Sequence, residues 1–159
     1  FDSTPPISTV TVPGTAFSAS LPTLSGTALD VTAGVLDVQI NLQNVTDNAV
    51  WNGASWAGPI DTNTLVTAGG TTNWTYTVPT GGNALQTGKT YRIRTRGRDL
   101  ATPSANVEAL GGNRDVVVDT SPPVANSHSF VPGGLKKGNT RSTATSLAAW
   151  PAGLVMTTR

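Results

Sequence analysis

The chain has 159 residues, 12% of them charged, and its formal net charge at pH 7 is +1. A chain of this length has room for one ordinary domain with its own hydrophobic core. Cysteine is absent, which excludes disulfides and thiolate metal sites and leaves packing, assembly or oxygen-ligated cations as sources of stability. No stretch holds the roughly 20 apolar residues that a membrane-spanning helix needs, so we expect no membrane insertion.

The first strand patterns lie near the N terminus. Ile7–Val12 alternates apolar and hydroxyl side chains, and residues 21–29 have the composition of a second strand. Residues 35–45 give the clearest signal, because their alternation predicts one buried face and one solvated face. The predicted buried side chains are Leu36, Val38, Ile40 and Leu42, and the predicted solvated ones are Asp37, Gln39, Asn41 and Gln43.

Four further patterns follow along the chain. Asn52-Gly53 between two short apolar runs predicts a hairpin with a type I′ turn, which needs positive φ angles. Residues 74–78 and 91–97 alternate, and residues 116–118 form a last short strand. No segment has convincing helical periodicity. Short strands separated by turn residues predict an all-β sandwich.

The alternation in residues 91–97 places four arginines on one face of a strand: Arg92, Arg94, Arg96 and Arg98. Such a strip suits an anionic polymer or a neighbouring subunit. The alternative is cross-strand pairing, in which Asp37 or Asp115 lies opposite an arginine. A nucleic-acid site needs a more basic domain with aromatic residues on the same face, so we expect no nucleic-acid partner.

The segment Asp2-Ser3-Thr4-Pro5-Pro6 returns as Asp119-Thr120-Ser121-Pro122-Pro123. Recurrence at a fixed period indicates tandem repeats, and a Pro-Pro step is a stiff spacer. We predict a sandwich at residues 1–123 with a Pro-Pro linker at each end. Residues 124–159 are then a C-terminal extension, either a tail or the start of the next repeat. Extended runs in that extension suggest that it adds a strand to a neighbouring sandwich and builds a filament.

Residues 2–6, 21–28, 51–56, 74–76 and 85–99, taken in order, resemble the bacterial immunoglobulin-like repeats of adhesins and other large surface proteins. The resemblance implies a Greek-key sandwich of about seven strands. It also implies an extracellular or cell-surface location, and a non-catalytic role as a spacer, stalk or adhesive unit. Its partners would be neighbouring repeats, identical subunits or a host or cell-surface ligand. The spacing Leu85-x-x-Gly88-x-x-Tyr91 looks like a tyrosine corner, whose hydroxyl bonds to backbone groups.

Catalytic constellations are hard to assemble from this sequence. The chain has one histidine, His128, in the C-terminal extension, and it has no cysteine. A serine nucleophile would depend on that distant histidine as its base. The one glutamate, Glu108, has no obvious carboxylate partner for glycoside hydrolysis. We therefore expect that the protein is not an enzyme.

The sequence predicts no cofactor, and the alternative is calcium, with Asp2, Asp30, Asp99 and Asp119 as the candidate ligands. Two of them flank the linkers, and Asp30 and Asp99 end predicted strands, so two or more can meet at one pole of a sandwich. Hard carboxylate oxygens suit Ca²⁺. The alternative is that each aspartate only forms a turn by accepting hydrogen bonds from its own backbone.

Trp51 and Trp56 support an alternative function, a carbohydrate-binding module of a secreted protein. Exposed aromatic faces beside Asn and Thr side chains suit a surface polysaccharide. The competing interpretation is that the two rings flank the predicted hairpin and pack on each other across it.

Overall fold

The structure, a computed structural model, describes residues 1–124, so the predicted tail or second repeat and its proposed strand addition lie outside the described residues. The described chain forms ten strands and one turn of 3₁₀ helix at Gly81–Asn83. The strands are β1 (Ile7–Val12), β2 (Phe17–Ser18), β3 (Thr23–Leu29), β4 (Val35–Asn44), β5 (Ala49–Trp51), β6 (Trp56–Ala57), β7 (Val66–Thr67), β8 (Asn73–Thr77), β9 (Thr90–Asp99) and β10 (Gly111–Val118).

The strands form two sheets arranged as a sandwich, which confirms the predicted all-β class. The smaller sheet has the order β1-β3-β8, and the larger has the order β2-β10-β9-β4-β5-β6, with β7 also pairing with β4. The pairs are antiparallel except for β2, which runs parallel to β10. Within residues 1–124, no helix is long and apolar enough to span a bilayer.

The core fills the space between the sheets with the inward side chains of each strand. Trp74 on β8 is fully buried, and its indole lies over Gly26 on β3. A Cβ at Gly26 would lie 2.5 Å from Trp74 Cζ2 and 1.8 Å from Thr9 O, so this position accepts only glycine. Other buried members include Leu24, Val38, Ile40, Leu42, Tyr91, Ile93 and Val116.

The prediction for the two faces of β4 is wrong in part. Leu36 is 41% exposed, because an irregularity in the β4–β9 pairing between Val35 and Asp37 takes it out of the alternation. Asn41 and Gln43, expected in solvent, are buried. The loop before β7 covers them, and Asn41 Nδ2 donates hydrogen bonds to the carbonyl oxygens of residues 61 and 64 at 3.1 and 2.7 Å.

The predicted hairpin exists, but its turn is not type I′. Trp51 pairs with Trp56, so four residues form the loop. Gly53 has φ 97°, whereas Asn52 is not in the positive region that a type I′ turn requires. Instead, Asn52 Oδ1 accepts hydrogen bonds from the backbone N–H groups of Ala54 and Ser55, both at 2.9 Å. The asparagine side chain therefore closes the loop together with its backbone N–H, which donates to Ser55 O at 3.2 Å.

Candidate functional site

Three of the four aspartates proposed as calcium ligands lie together. Asp2 precedes β1, Asp30 follows β3 and Asp99 ends β9, and one carboxylate oxygen of each lies within 4.8 Å of those of the other two. Asp119 is not part of this group. It follows β10, which runs antiparallel to β9 and therefore ends at the other pole of the sandwich. We call Asp2, Asp30 and Asp99 the acidic cluster.

Asp30 is fixed by the loop that follows it. Its Oδ1 accepts hydrogen bonds from the backbone N–H groups of Thr32, Ala33 and Gly34, at 3.0, 2.7 and 2.9 Å. Gly34 has φ 79°, a conformation that glycine adopts without strain. The β3–β4 loop therefore folds around one oxygen of Asp30 and holds the carboxylate at the pole.

Asp99 is fully buried and well supplied with donors. Its Oδ1 accepts hydrogen bonds from the backbone N–H groups of Ala101 and Asn106 at 3.1 and 2.6 Å, and Asn106 Nδ2 donates to Oδ2 at 2.7 Å. Desolvation by burial acts to raise the pKa of Asp99, but these hydrogen bonds outweigh it and hold the pKa below its usual value. Asp99 is therefore ionised at neutral pH.

Asp2 has one oxygen that the described chain does not satisfy. Its Oδ1 accepts a hydrogen bond from the Thr4 N–H at 2.9 Å, whereas its Oδ2 is buried and has no hydrogen-bond partner among residues 1–124. The ion pairs of the described residues involve Asp37, Asp47 and Asp115, and none involves the acidic cluster. Within residues 1–124, the cluster thus has no basic side chain in ion-pair contact.

The exit segment repeats the local geometry of the entry segment. Asp119 Oδ1 accepts a hydrogen bond from the Ser121 N–H at 3.0 Å, the same two-residue turn that Asp2 makes with Thr4. The exit is also fastened to the sandwich, because the Asp119 N–H donates to Ser18 O at 2.9 Å and the Thr120 N–H donates to Thr87 Oγ1 at 2.7 Å. The two Asp-Pro-Pro segments are therefore alike in local structure as well as in sequence.

The arginine strip, Arg92, Arg94, Arg96 and Arg98, lies on the outer face of β9 and meets acceptors on both neighbouring strands. Two guanidinium N–H groups of Arg92 donate to the carboxylate of Asp115 at 2.8 Å each. This contact holds the pKa of Asp115 below its usual value. Register explains the pairing, since Asp115 lies directly opposite Arg92 on β10.

The rest of the arginine strip faces β4. Arg98 Nε donates to Asp37 Oδ1 at 2.8 Å, and Arg96 Nε donates to Gln39 Oε1 at 2.8 Å. Arg94 lies opposite Asn41, and its Nε is buried with no partner among the described residues. The hydrogen bond from Arg98 to Asp37 raises the pKa of Arg98. Cross-strand pairing thus occupies three of the four arginines, while their proposed role in binding other molecules stays a prediction.

The two hairpin tryptophans occupy different environments. Trp51 is 6% exposed, and its Nε1 donates a hydrogen bond to the Tyr76 hydroxyl at 2.7 Å. It is a core residue and not an accessible stacking face, so the two rings do not form a shared platform. Trp56 is half-buried, with its ring centroid 5.6 Å from that of Trp51 and 5.6 Å from that of Tyr91.

Trp56 borders a cavity of about 320 Å³ at the pole opposite the acidic cluster. The cavity is lined by Asn44, Asp47, Ala49, Ser55, Trp56, Gly82, Asn83, Ala84, Gln86 and Tyr91. The Tyr91 hydroxyl accepts a hydrogen bond from the Gln86 N–H at 2.8 Å, which is the contact expected of a tyrosine corner. Burial raises the pKa of Tyr91, so its hydroxyl stays protonated at neutral pH.

Glu108 joins the two sheets, a role that the sequence did not indicate. Its carboxylate accepts hydrogen bonds from the Ser8 N–H at 3.0 Å and the Ser8 hydroxyl at 2.6 Å on β1, and from the Gly97 N–H at 2.7 Å on β9. No local sequence pattern marks a lone glutamate as such a bridge, because its partners lie far away in the chain. The role of Glu108 as a link between β1 and β9 is therefore visible only in the folded structure.

Comparison with family models, with curated proteins and with solved structures finds no match to this chain. The function is therefore argued from the residues described above.

Proposed function

We propose that the chain is a non-catalytic structural or adhesive module, one repeat of an extracellular or cell-surface bacterial protein. The observation that carries the proposal is the repeated Asp-Pro-Pro segment at the entry and exit of the sandwich, with the same aspartate turn at each end. Two equivalent segments one domain apart are what a tandem array requires, since the exit of one module is then the entry of the next.

The strand order supports an immunoglobulin-like form of the sandwich. The orders β1-β3-β8 and β10-β9-β4 correspond to the strands A-B-E and G-F-C of that fold, with β2 added beside β10. Tyr91, near the start of β9, corresponds to the tyrosine corner at the start of strand F. We therefore propose that the strands are connected as a Greek key and that the chain is related to bacterial adhesin repeats.

The two poles of the sandwich suit end-to-end contact between such modules. At the exit pole, an apolar cavity of about 230 Å³ opens beside the departing chain, with Leu21, Val78, Leu85 and Val118 in its lining. At the entry pole, the loop residue Val31 is 85% exposed and Leu100 is 55% exposed. Exposed apolar side chains at one end and an apolar cavity at the other favour a neighbouring module as the partner.

The proposal includes a calcium ion at the acidic cluster. The supporting observation is the buried Asp2 Oδ2, which lacks a partner in the described residues and belongs to a group of three carboxylates without an ion-paired basic side chain. Like charges at this separation repel, and buried charges are normally paired or bound to metals. Oxygen-only donors fit Ca²⁺, and because Asp2 belongs to the entry segment, the ion would fasten that segment to the β3–β4 loop and the end of β9.

A protein with two sandwiches in series tests the repeat. Residues 1–118 followed directly by residues 2–123 place Asp2 of the second copy where Asp119 stands in the first. Small-angle scattering should give an elongated particle of fixed length with calcium, because the linker is short and stiff. A control with Gly-Ser in place of the central Pro-Pro should scatter as a more flexible pair. Equal scattering of the two proteins would contradict the repeat proposal.

A further inference from the structure

We propose that the cavity beside Trp56 is a binding site for one neutral sugar unit of a polysaccharide or glycan. It lies where the β4–β5 turn, the hairpin loop, the 3₁₀ turn and the start of β9 meet. No residue of either linker or of the acidic cluster lines this site, but it lies at the exit pole and shares Ala84 with the apolar cavity there. The inference rests on the lining of this site and not on the repeated Asp-Pro-Pro segment.

The aromatic wall of the cavity is held rigidly. Trp56 packs at a tilt against Trp51 and Tyr91, and its Nε1 donates a hydrogen bond to Asn83 O at 2.8 Å. Asn83 in turn donates through Nδ2 to Ala54 O at 3.2 Å, which ties the 3₁₀ turn to the hairpin loop. An immobilised indole offers an apolar surface to the C–H face of a pyranose ring without the entropy cost of ordering a side chain.

The polar wall supplies both donors and acceptors. Asn44 Nδ2 donates to Asp47 Oδ2 at 2.8 Å, and Lys89 forms an ion pair with the same carboxylate. Asp47 and Gln86 are exposed residues of the lining, and Asp47 Oδ1 and the Gln86 side-chain amide are open to solvent, with no hydrogen bond to any of the residues 1–124. An amide and a carboxylate oxygen together match the donor and acceptor capacity of vicinal hydroxyl groups.

The charge and size of the cavity select the class of ligand. Its one carboxylate, Asp47, is compensated by Lys89, and that ion pair holds the pKa of Asp47 below its usual value. A divalent cation needs several oxygen anions, and an anionic ligand would meet the Asp47 carboxylate. A volume of about 320 Å³ is at the small end of ligand sites, which suits one sugar ring and not an extended peptide.

The experiment is a titration of the full ¹⁵N-labelled chain with glucose, galactose, N-acetylglucosamine and N-acetylgalactosamine, each to about 50 mM, which would nearly saturate a site with a Kd of about 1 mM. At least one sugar should shift the Trp56 indole N–H together with the amides of Asn83 and Gln86. Gln86→Ala should weaken that sugar by roughly three- to tenfold, the value of one or two hydrogen bonds. Asn73→Ala, an exposed amide on the smaller sheet, is the matched control and should leave the affinity unchanged.

The Gln86 side chain has no partner within residues 1–124, so its removal should leave the rest of the spectrum intact. If none of the four sugars moves the cavity resonances, the site is not a sugar site and the proposal is overturned. Shifts that persist with unchanged affinity in Gln86→Ala would also overturn it, because the sugar would then bind elsewhere.

Discussion

The arginine strip and the acidic cluster are both groups of like charge, and they differ in what the rest of the fold places beside them. Arg92, Arg96 and Arg98 each meet an acceptor on a neighbouring strand. The three aspartates meet backbone and amide N–H groups but no ion-paired base among the described residues. Two of the four arginine charges are thus paired with carboxylates inside the sheet, whereas none of the three cluster carboxylates is in an ion pair among the described residues.

This contrast shows why a run of like charges is ambiguous until the register is known. Strand pairing decides which side chains lie opposite each arginine, and here Asp37 and Asp115 fall into place. The aspartates come from three strand ends that are far apart in sequence. Strand register does not neutralise these charges, since Asp99 at the end of β9 lies opposite the apolar Val35.

The largest expected effect is a fall in melting temperature when the buried carboxylate of Asp99 is removed, compared with removal of the ion-paired carboxylate of Asp37. Asp99→Ala removes the acceptor for two part-buried backbone N–H groups and leaves the Asn106 amide only its bond to Asp2 O. We expect a fall in melting temperature of roughly 5–10 °C. Asp37→Ala, which breaks the pair with Arg98, should lower it by at most about 3 °C. Thermal unfolding monitored by circular dichroism measures both values. Equal falls in melting temperature for the two variants would contradict the greater contribution of Asp99.

Acid should lower the stability of the fold through Asp99 of the acidic cluster, through Asp115 beside the arginine strip and through Asp47. The pKa values of Asp47, Asp99 and Asp115 are all below the ordinary aspartate value in the folded chain. Their stabilisation is therefore complete above about pH 4 and is lost as the pH falls through the folded pKa values. We expect the melting temperature to be level from pH 7 to about pH 5 and to fall by several degrees towards pH 2. A rise in stability over the acid range would contradict the assigned directions.

Neutralising one aspartate of the acidic cluster should raise the melting temperature when no cation is present. In chelator, Asp2→Asn removes like-charge repulsion and keeps the Oδ1 contact with Thr4. We expect a gain in melting temperature of roughly 1–3 °C. Asp119→Asn is the matched control, because it keeps the same turn outside the cluster, and it should change nothing. A loss of stability in Asp2→Asn under chelator would show that the cluster is not under repulsion.

The smallest effect belongs to the arginine strip. A double-mutant cycle with Arg92→Ala and Asp115→Ala should give a coupling energy of about 0.2–1 kcal/mol that shrinks at high salt, because both side chains are partly exposed. Chemical denaturation of the four proteins measures it. A coupling of several kcal/mol would indicate that the strip, like Asp99, contributes strongly to stability.

The strands could be predicted wherever alternation was strong. The limits of β1 were correct, and β4 and β9 were located to within a few residues. These successes rest on local periodicity, which a sequence displays directly.

The errors arose from contacts between distant parts of the chain. Asn41 is buried because a loop some 20 residues later covers its face, and Glu108 bonds to Ser8, which lies 100 residues earlier in the chain. The side chain of Asn52 replaced the backbone conformation that Asn-Gly predicts. Trp51 turned inwards to bond with Tyr76, leaving Trp56 to line the cavity. None of these partners can be read from local sequence.

The proposal that the acidic cluster binds calcium, whereas Asp37 and Asp115 already have arginine partners, can be tested by calorimetric titration of the full chain with calcium. We expect one binding event per chain and a melting temperature that rises by a few degrees in saturating calcium and falls back in chelator. Both responses should be absent in Asp2→Asn and retained in Asp37→Asn. The absence of binding heat together with identical melting in calcium and chelator would contradict the claim.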